Sequence, residues 1–560
     1  MITVEIVRSV PLFASLPKAA LEEIADAAAD IHLVAGEWLV EGELPAFFTL
    51  LSGEIEVTRF MAGAERVIGH YHPGDSFGEA RLLLGSAVIA NLRATTDSRV
   101  LKLAAIEIHN LMARSEQLTA TILRMISSRF RDLQRISVEA SVEIAQIIGR
   151  SLDVECYDLR DFLSRNNLDF RWLDPDDPAA AELIPESARA GPYPAVLLPD
   201  GSLLTRPSTR EVAERLGFQT APQESAYDVV IAGGGPAGLA AAVYGASEGL
   251  RTLMVEREAP GGQAGTSSRI ENYLGFPAGL SGTELSARAL QQAMRFGTEI
   301  LIARQVTAIH PNAGTHEVML DGGDSVQARA IVLAFGVAWR TLSVPGADKL
   351  VGRGIYYGTA RSEAPRVRRK DVYLVGGGNS AGQAALFFAS YARRVTLLVR
   401  GSSLQEDMSQ YLIDQLAWRE NIAVQLDTTV IAVHGEDQLE AITVRHGAPE
   451  GEERFETDSL FVFIGADART SWLPDHIARD ERGYILTGID VPSSGMWSLE
   501  REPFLLETSV PGIFAAGDVR NRSIKRVASS VGEGSMAIAM IHRYQGLATQ
   551  HLAPVTSVGH

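Results

Sequence analysis

Apolar positions change their spacing along the chain, and each change marks a new segment. Up to about residue 137, short apolar runs alternate with glycine turns: Ala35-Gly36-Glu37, then Leu50-Leu51-Ser52-Gly53-Glu54-Ile55-Glu56-Val57, then Pro73-Gly74-Asp75-Ser76-Phe77-Gly78-Glu79. Strands with turns at this spacing predict a small antiparallel barrel or jelly roll. Helical periodicity lies at both ends, around Lys18 to Ala28 and from about Ser115 to Leu133. From 138 to 222 the order is a strand (Ile144 to Gly149), a helix (Tyr157 to Arg165) and a strand (Phe170 to Asp174). A strand opening on Tyr193-Pro194, a turn at Asp200-Gly201 and a helix from Ser208 to Leu216 follow.

At Tyr227 the pattern becomes nearly continuous. It runs Tyr227-Asp228-Val229-Val230-Ile231-Ala232, then Gly233-Gly234-Gly235-Pro236-Ala237-Gly238, then an Ala- and Leu-rich segment, and closes on Leu253-Met254-Val255-Glu256. This predicts a buried strand, a glycine turn, a helix opening at Pro236 and Ala237, and a second strand ending in an acid. Gly233 permits the tight turn, Gly235 leaves room for a pyrophosphate against bare backbone, and Gly238 lets the helix pack closely on its strand. Free N–H groups of the first helical turn face the phosphates. Glu256, roughly twenty residues on, is placed to accept hydrogen bonds from a ribose diol. The run from Val229 to Gly245 carries no charge, yet its early glycines and strand-like first half mark a buried strand and helix rather than a membrane span.

Length, charge and cysteine content narrow the choices. At 560 residues the chain is expected to hold three or four domains of roughly 150 residues each. A hydrophobic content of 46% can fill several cores. The net charge of -18 argues against a nucleic-acid partner, whose phosphates need a basic surface. Met1-Ile2-Thr3-Val4-Glu5 lacks a basic start and apolar core, so a cytoplasmic protein without a membrane segment is expected. There is one cysteine, Cys156, so no dithiol exists within these residues.

Three resemblances follow from the motifs. Segment 1–137, with Phe77-Gly78-Glu79, resembles the cyclic-nucleotide-binding domain of catabolite-activator-like proteins and kinase regulatory subunits. That family holds the ribose 2′-hydroxyl with a glutamate, here Glu79 beside Gly78, and the cyclic phosphate with an arginine nine residues later. The latter place is Val88. Burying a phosphate charge without a cation costs on the order of several kcal/mol. Cyclic-nucleotide binding is therefore doubtful, and a nucleotide-silent or differently liganded barrel is expected. Arg93 lies beyond the phosphate loop. Segment 138–222 resembles the thioredoxin or glutaredoxin fold, with Pro194 at the family's cis proline. Its redox pair falls on Asp153 and Cys156, and the first of these, the family's nucleophile, is an aspartate. A buried or incidental Cys156 is expected rather than a catalyst.

From Ala226 to about Gln545 the chain resembles the low-molecular-weight thioredoxin reductases. The motifs are Pro260-Gly261-Gly262-Gln263, Ile270-Glu271-Asn272-Tyr273-Leu274-Gly275-Phe276-Pro277, Val332-Leu333-Ala334-Phe335-Gly336, Pro511-Gly512-Ile513-Phe514-Ala515-Ala516-Gly517-Asp518 and Lys525-Arg526-Val527. The resemblance implies FAD, with Gly262, Gln263, Asn272, Ala334, Gly336, Gly517, Arg526 and Val527 around it and the Asp518 carboxylate accepting from its ribityl chain. A second strand–turn–helix sits inside the first: Val372-Tyr373-Leu374-Val375, then Gly376-Gly377-Gly378-Asn379-Ser380-Ala381, ending on Val395-Thr396-Leu397-Leu398-Val399-Arg400. This is the nicotinamide site by resemblance. Arg400, with Ser402 and Ser403, favours the 2′-phosphate of NADPH over NADH. The family's redox cysteines belong in the stretch Gly354-Ile355-Tyr356-Tyr357-Gly358-Thr359-Ala360-Arg361, where Gly358 and Arg361 take their places.

The expected fold is multidomain α/β: two nested Rossmann-like domains for FAD and NAD(P), preceded by a β-jelly-roll domain and a thioredoxin-like domain. The boundaries are 1–137, 138–222, 226–342 (FAD, first part), 343–466 (NADPH), 467–548 (FAD, second part) and a tail at 549–560. The expected activity is an NAD(P)H-dependent flavoprotein oxidoreductase that passes electrons from FAD to an external small-molecule or protein acceptor. Arg361 and Arg526 are candidates for stabilising reduced flavin or attracting an anionic acceptor, against the alternative of surface ion pairs. A slow flavin-based redox or nucleotide sensor and a thioredoxin-disulfide reductase stand as alternatives. A homodimer is implied by the resemblance.

Overall fold

The computed structural model describes the chain apart from residues 1, 40–45, 62–63, 79–90, 116–117, 125–144, 151–152, 184–190, 268, 313, 359–363, 365, 448–449 and 551–560. It divides into two units, Met1–Val142 and Glu143–His560.

Two antiparallel sheets form the first unit. In one, Ala46–Ser52 lies between Ser98–Ala104 and Ser76–Phe77, with Ala29–Leu33 outside Ser98–Ala104. In the other, Ile55–Met61 lies between Ala64–Tyr71 and Asn91–Ala94. The strand Ala46–Ser52 is covered on both faces, which is why apolar residues fall on both, and its one interior polar residue, Thr49, is buried in a hydrogen bond with the Ser76 hydroxyl at 2.9 Å. Phe48 and Leu50 join Phe77 and Val100 in the core between the sheets. Phe47 points the other way, towards Val7, Leu21 and Ile108 on the helices Val4–Ser9, Lys18–Ala27 and Ala105–Arg114. Helical structure after the last strand begins at Ala105, ten residues before the expected start, because Ile108 and Leu111 are spaced to bury one face. Residues 118–124 are also helical, and the rest of the expected helix lies outside the described residues.

The second unit opens on a four-stranded sheet in the order Leu203–Thr205, Ala195–Leu197, Ala145–Ile148, Phe170–Leu173. The last pair is parallel and the other two are antiparallel. The helix Val154–Arg165 makes the parallel crossover and starts three residues earlier than expected, since Asp153 caps it through the Cys156 N–H at 2.8 Å. The short helix Pro178–Leu183 was not anticipated, and the Tyr193–Pro194 peptide is cis. A linker then lies along the next sheet: Ile302 N–H donates to the Gln219 carbonyl, and Glu299 accepts from Gln219, the Gln223 N–H and Tyr227.

That sheet has seven strands. Glu299–Ile302, Thr252–Glu256, Ala226–Ala232, Ser325–Leu333 and Ile513–Ala515 run parallel, and the hairpin Val306–His310 with His316–Leu320 completes it. The helix Pro236–Ser247 can be apolar all round because it is enclosed between this sheet and the helix Val527–Gln550. Gly534 makes that enclosure possible, for a Cβ there would lie 2.1 Å from the Ala237 carbonyl oxygen. The chain leaves through Ala338–Trp339 and returns through its antiparallel partner Ala466–Asp467. Between these crossings lies a five-stranded parallel sheet in the order Ile355–Tyr357, Leu460–Val462, Asp371–Val375, Arg394–Leu398, Ile422–Gln425, with a three-stranded antiparallel sheet attached. Among the described residues no helix is long and apolar enough to cross a membrane.

Two glycines on one helix give opposite expectations. Gly534→Ala forces overpacking worth about 1–3 kcal/mol and lowers the melting temperature, whereas Gly546→Ala, with open space around it, raises stability by about 0.5–1 kcal/mol. Thermal unfolding of the two variants checks the pair.

Candidate functional site

The first glycine turn is shaped by what its residues lack. Gly233 has φ +105°, and a Cβ would meet the Phe335 Cα at 2.6 Å and the Ala334 carbonyl oxygen at 2.7 Å. At Gly238 a Cβ would fall 1.9 Å from the Gly233 carbonyl oxygen, so the helix touches its own strand there. Gly235 faces open space. It is the N-cap of Pro236–Ser247, and no side chain caps that helix. Nor does one cap Asn379–Ala389, whose N-cap is Gly378. By contrast Val154–Arg165, Thr209–Arg215 and Gly282–Arg295 are capped by Asp153, Ser208 and Ser281. The two helices aimed at the expected phosphates thus keep their first-turn N–H groups available.

Glu256 closes the second strand and is buried. Its carboxylate accepts the Gly234 N–H at 2.6 Å and the Glu258 N–H at 2.8 Å. Burial pushes its pKa up, and those two hydrogen bonds oppose the rise. Gly262, at φ +53°, brings the following turn against the first, with a Cβ position 3.2 Å from the Gly235 Cα. Gln263 donates to the Val337 carbonyl at 2.6 Å, which ties that turn to the strand end carrying Ala334 and Gly336. Asn272 is exposed on its loop.

At the far end, Gly517–Val519 is a short 3-10 turn. Asp518 is half-buried, burial raises its pKa against the pull of Lys525, and no described residue hydrogen-bonds its carboxylate. Such an acceptor suits a polyol. Arg526 is exposed, donates to the Lys525 carbonyl at 3.1 Å and has no carboxylate partner among the described residues; Val527 opens the long helix. Arg361, Glu79 and Val88 lie outside the described residues. Gly78 is described and sits at φ +92° against the Ala46 carbonyl. Arg93, in the same unit, is engaged by the buried Glu56 and lies over the Trp38 ring at 5.3 Å.

The second turn repeats the first. Gly376 has φ +140°, and a Cβ would lie 2.4 Å from the Phe463 carbonyl oxygen. At Gly378 a Cβ would meet the Asp407 carbonyl oxygen at 3.9 Å, an ordinary contact, Ser380 is exposed, Ala381 is buried, and the Asn379 side chain accepts the Ser409 N–H at 2.7 Å. Arg400, just past Arg394–Leu398, is exposed and makes no ion pair among the described residues. Ser402 beside it is exposed.

Two positions bear on thiol chemistry. Cys156 is fully buried, and burial pushes its thiol up to about 11. At Gly358 the backbone has φ +78°, and the Trp339 indole packs within 3.2 Å of where a Cβ would stand.

Sequence reasoning missed several residues that build the site. Glu533, buried on the long helix, accepts the Gly517 N–H at 2.7 Å and pairs with Arg520 at 2.5 Å, which fixes the turn before Asp518. Arg165 and Glu258 pair across 93 residues. Local pattern carries no trace of contacts so distant in the chain; only the acid in the otherwise apolar Ser530–Ile541 stretch hinted at Glu533.

Residues 227–534, more than half of the chain, match the family model described as pyridine nucleotide-disulphide oxidoreductase, and residues 31–115 match that described as cyclic nucleotide-binding domain. A thioredoxin reductase of Treponema pallidum (strain Nichols) is 33% identical over 314 residues, 56% of this chain and 95% of that protein. One of Bacillus subtilis (strain 168) is 32% identical over 324 residues, 58% of this chain and 96% of that protein. Among solved structures, the thioredoxin reductase of T. acidophilum aligns with a TM-score of 0.52 at 28% identity, over 58% of this chain and all of its own.

Gly233→Ala places a side chain on left-handed backbone against two main-chain atoms. Purified variant protein is expected to carry no stoichiometric flavin absorbance where the unaltered chain does.

Proposed function

The chain belongs to the pyridine nucleotide-disulphide oxidoreductase family, and from that premise we propose that it is an NADPH-dependent FAD oxidoreductase whose electrons leave the flavin directly for an external acceptor. The observation that carries this reading is the state of its one cysteine. Cys156 is buried, its pKa is raised and it has no second thiol within these 560 residues. A thiol held protonated is a poor nucleophile. Bound flavin supplies two-electron redox chemistry, and the protein supplies binding, orientation and electrostatics. The open helix N-termini at Gly235 and Gly378 bind phosphates, Glu256 receives a ribose, Asp518 receives the flavin side chain, and Arg400 is free to meet a 2′-phosphate.

The thioredoxin-like reading of 138–222 is supported by its strand order and by the helix that follows the first strand. Asp153 serves there as an N-cap, a structural task that takes the place of a nucleophile. The match of residues 31–115 favours a second reading, in which ligand binding in the first unit modulates slow flavin turnover. A cytoplasmic homodimer without a nucleic-acid partner is also proposed. The relatives named thioredoxin reductase make disulfide reduction the natural alternative. A coupled insulin assay with added thioredoxin is expected to show little turnover.

Anaerobic rapid mixing with NADPH should bleach the flavin, and Cys156→Ser should do so at the same rate. A flavin that stays oxidised, or a variant that stalls after reduction, overturns the reading. Arg400→Ala should raise the KM for NADPH by about tenfold, the loss of one exposed charge-assisted contact, and leave that for NADH unchanged. Repeating turnover with cyclic AMP or cyclic GMP separates the sensor reading from a constitutive enzyme.

A further inference from the structure

The helix Val154–Arg165 belongs to the four-stranded module, yet its last residues reach the dinucleotide site. Arg165 pairs with Glu258, two residues beyond Glu256, and also donates to the Gly262 carbonyl at 3.3 Å. Its neighbour Asn166 is buried and donates to the Glu258 carbonyl at 3.0 Å. Those contacts close a circuit. Glu256 holds the Gly234 N–H, Glu258 donates its N–H to Glu256, Arg165 joins Glu258 to Gly262, and the Gly261 N–H donates to the Gly234 carbonyl at 2.7 Å. Each link touches either the glycine turn or the turn packed against it. Burial acts against the charge of Arg165, and Glu258, Asp161 and Glu256 more than offset it.

We propose that Arg165 is a positioning residue of the FAD site: it holds the 258–262 turn against Gly234 and Gly235, so that flavin retention depends on a module outside the reductase fold. The proposal rests on reading the Gly233 turn as the FAD site. It assigns the middle module a fixed place in the cofactor machinery, in contrast to a freely swinging carrier. Among the described residues the Arg165 guanidinium is engaged by Glu258 and the Gly262 carbonyl. It acts by setting the distance between two backbone turns, the arrangement on which tight positioning of a ligand depends.

An ordinary docking ion pair would look similar, and the structure supplies a control. Arg210, on the helix Thr209–Arg215 of the same module, pairs with Asp321 and reaches the Ala303 carbonyl at 3.5 Å, anchoring the module through residues outside the circuit. Removing either arginine weakens docking, but only Arg165 adjoins the turns.

The test uses the full chain. Apoprotein of the unaltered chain, Arg165→Ala, Arg165→Lys, Asn166→Ala and Arg210→Ala is titrated with FAD by flavin fluorescence, and melting temperatures are taken alongside. Arg165→Ala should weaken FAD binding about ten- to a hundredfold, as the loss of charge-assisted hydrogen bonds does. Arg165→Lys should recover part of this, Asn166→Ala should show a smaller loss, and Arg210→Ala should stay within about twofold of the unaltered chain despite a lowered melting temperature. At saturating FAD the KM for NADPH should be unchanged in Arg165→Ala. Unaltered affinity in both Arg165→Ala and Asn166→Ala overturns the proposal, and so does an equal loss in Arg210→Ala. An unaltered chain that takes up no FAD would instead sink the site reading beneath it.

Discussion

Main-chain atoms of three segments converge on Gly233 more closely than any β-carbon allows. The strand Ala226–Ala232 ends there, the helix beginning at Pro236 doubles back to touch it at Gly238, and the backbone of Ala334 and Phe335 presses on it from the neighbouring strand. Close packing of this kind costs conformational entropy at each glycine, and the return is a bare backbone surface at the end of an uncapped helix. The rest of the reductase portion is arranged to hold that surface. Glu256 pins it from the next strand, Gly534 lets the long C-terminal helix lie against Ala237, and Gly262 brings a second turn up to Gly235.

Electrostatics follow from the same geometry. Asp153, Ser208 and Ser281 cap their helices with a side chain, whereas the helices at Gly235 and Gly378 offer bare N–H groups and the positive end of their dipoles. Glu256 is buried and Asp518 half-buried in the first of these two folds, and burial raises the pKa of both. Such carboxylates gain most from hydroxyl donors, which supply the hydrogen bonds that water no longer provides.

Much of this was legible in the chain itself, because strand, glycine turn, helix and terminal acid are consecutive. The two nested folds could be read from periodicity and from their glycine turns. Contacts that close across distant segments left little local trace. Glu533 is the one acid in the Ser530–Ile541 stretch and Arg165 ends a helix of another module, and neither local setting names its partner. Ala105–Arg114 was missed because its two buried residues directly follow an apolar strand, where the change of period has too few residues to register. Cys156 was legible as a solitary thiol, but only the fold shows how deeply it is enclosed.

Gly358 holds a conformation that restricts what can replace it. The backbone there is a left-handed turn, and the Trp339 indole lies beside it. A residue with a β-carbon in that conformation costs roughly 1–2 kcal/mol before any contact with the ring is counted. A cysteine, or any other side chain, at 358 would therefore require the main-chain path and the tryptophan to move with it.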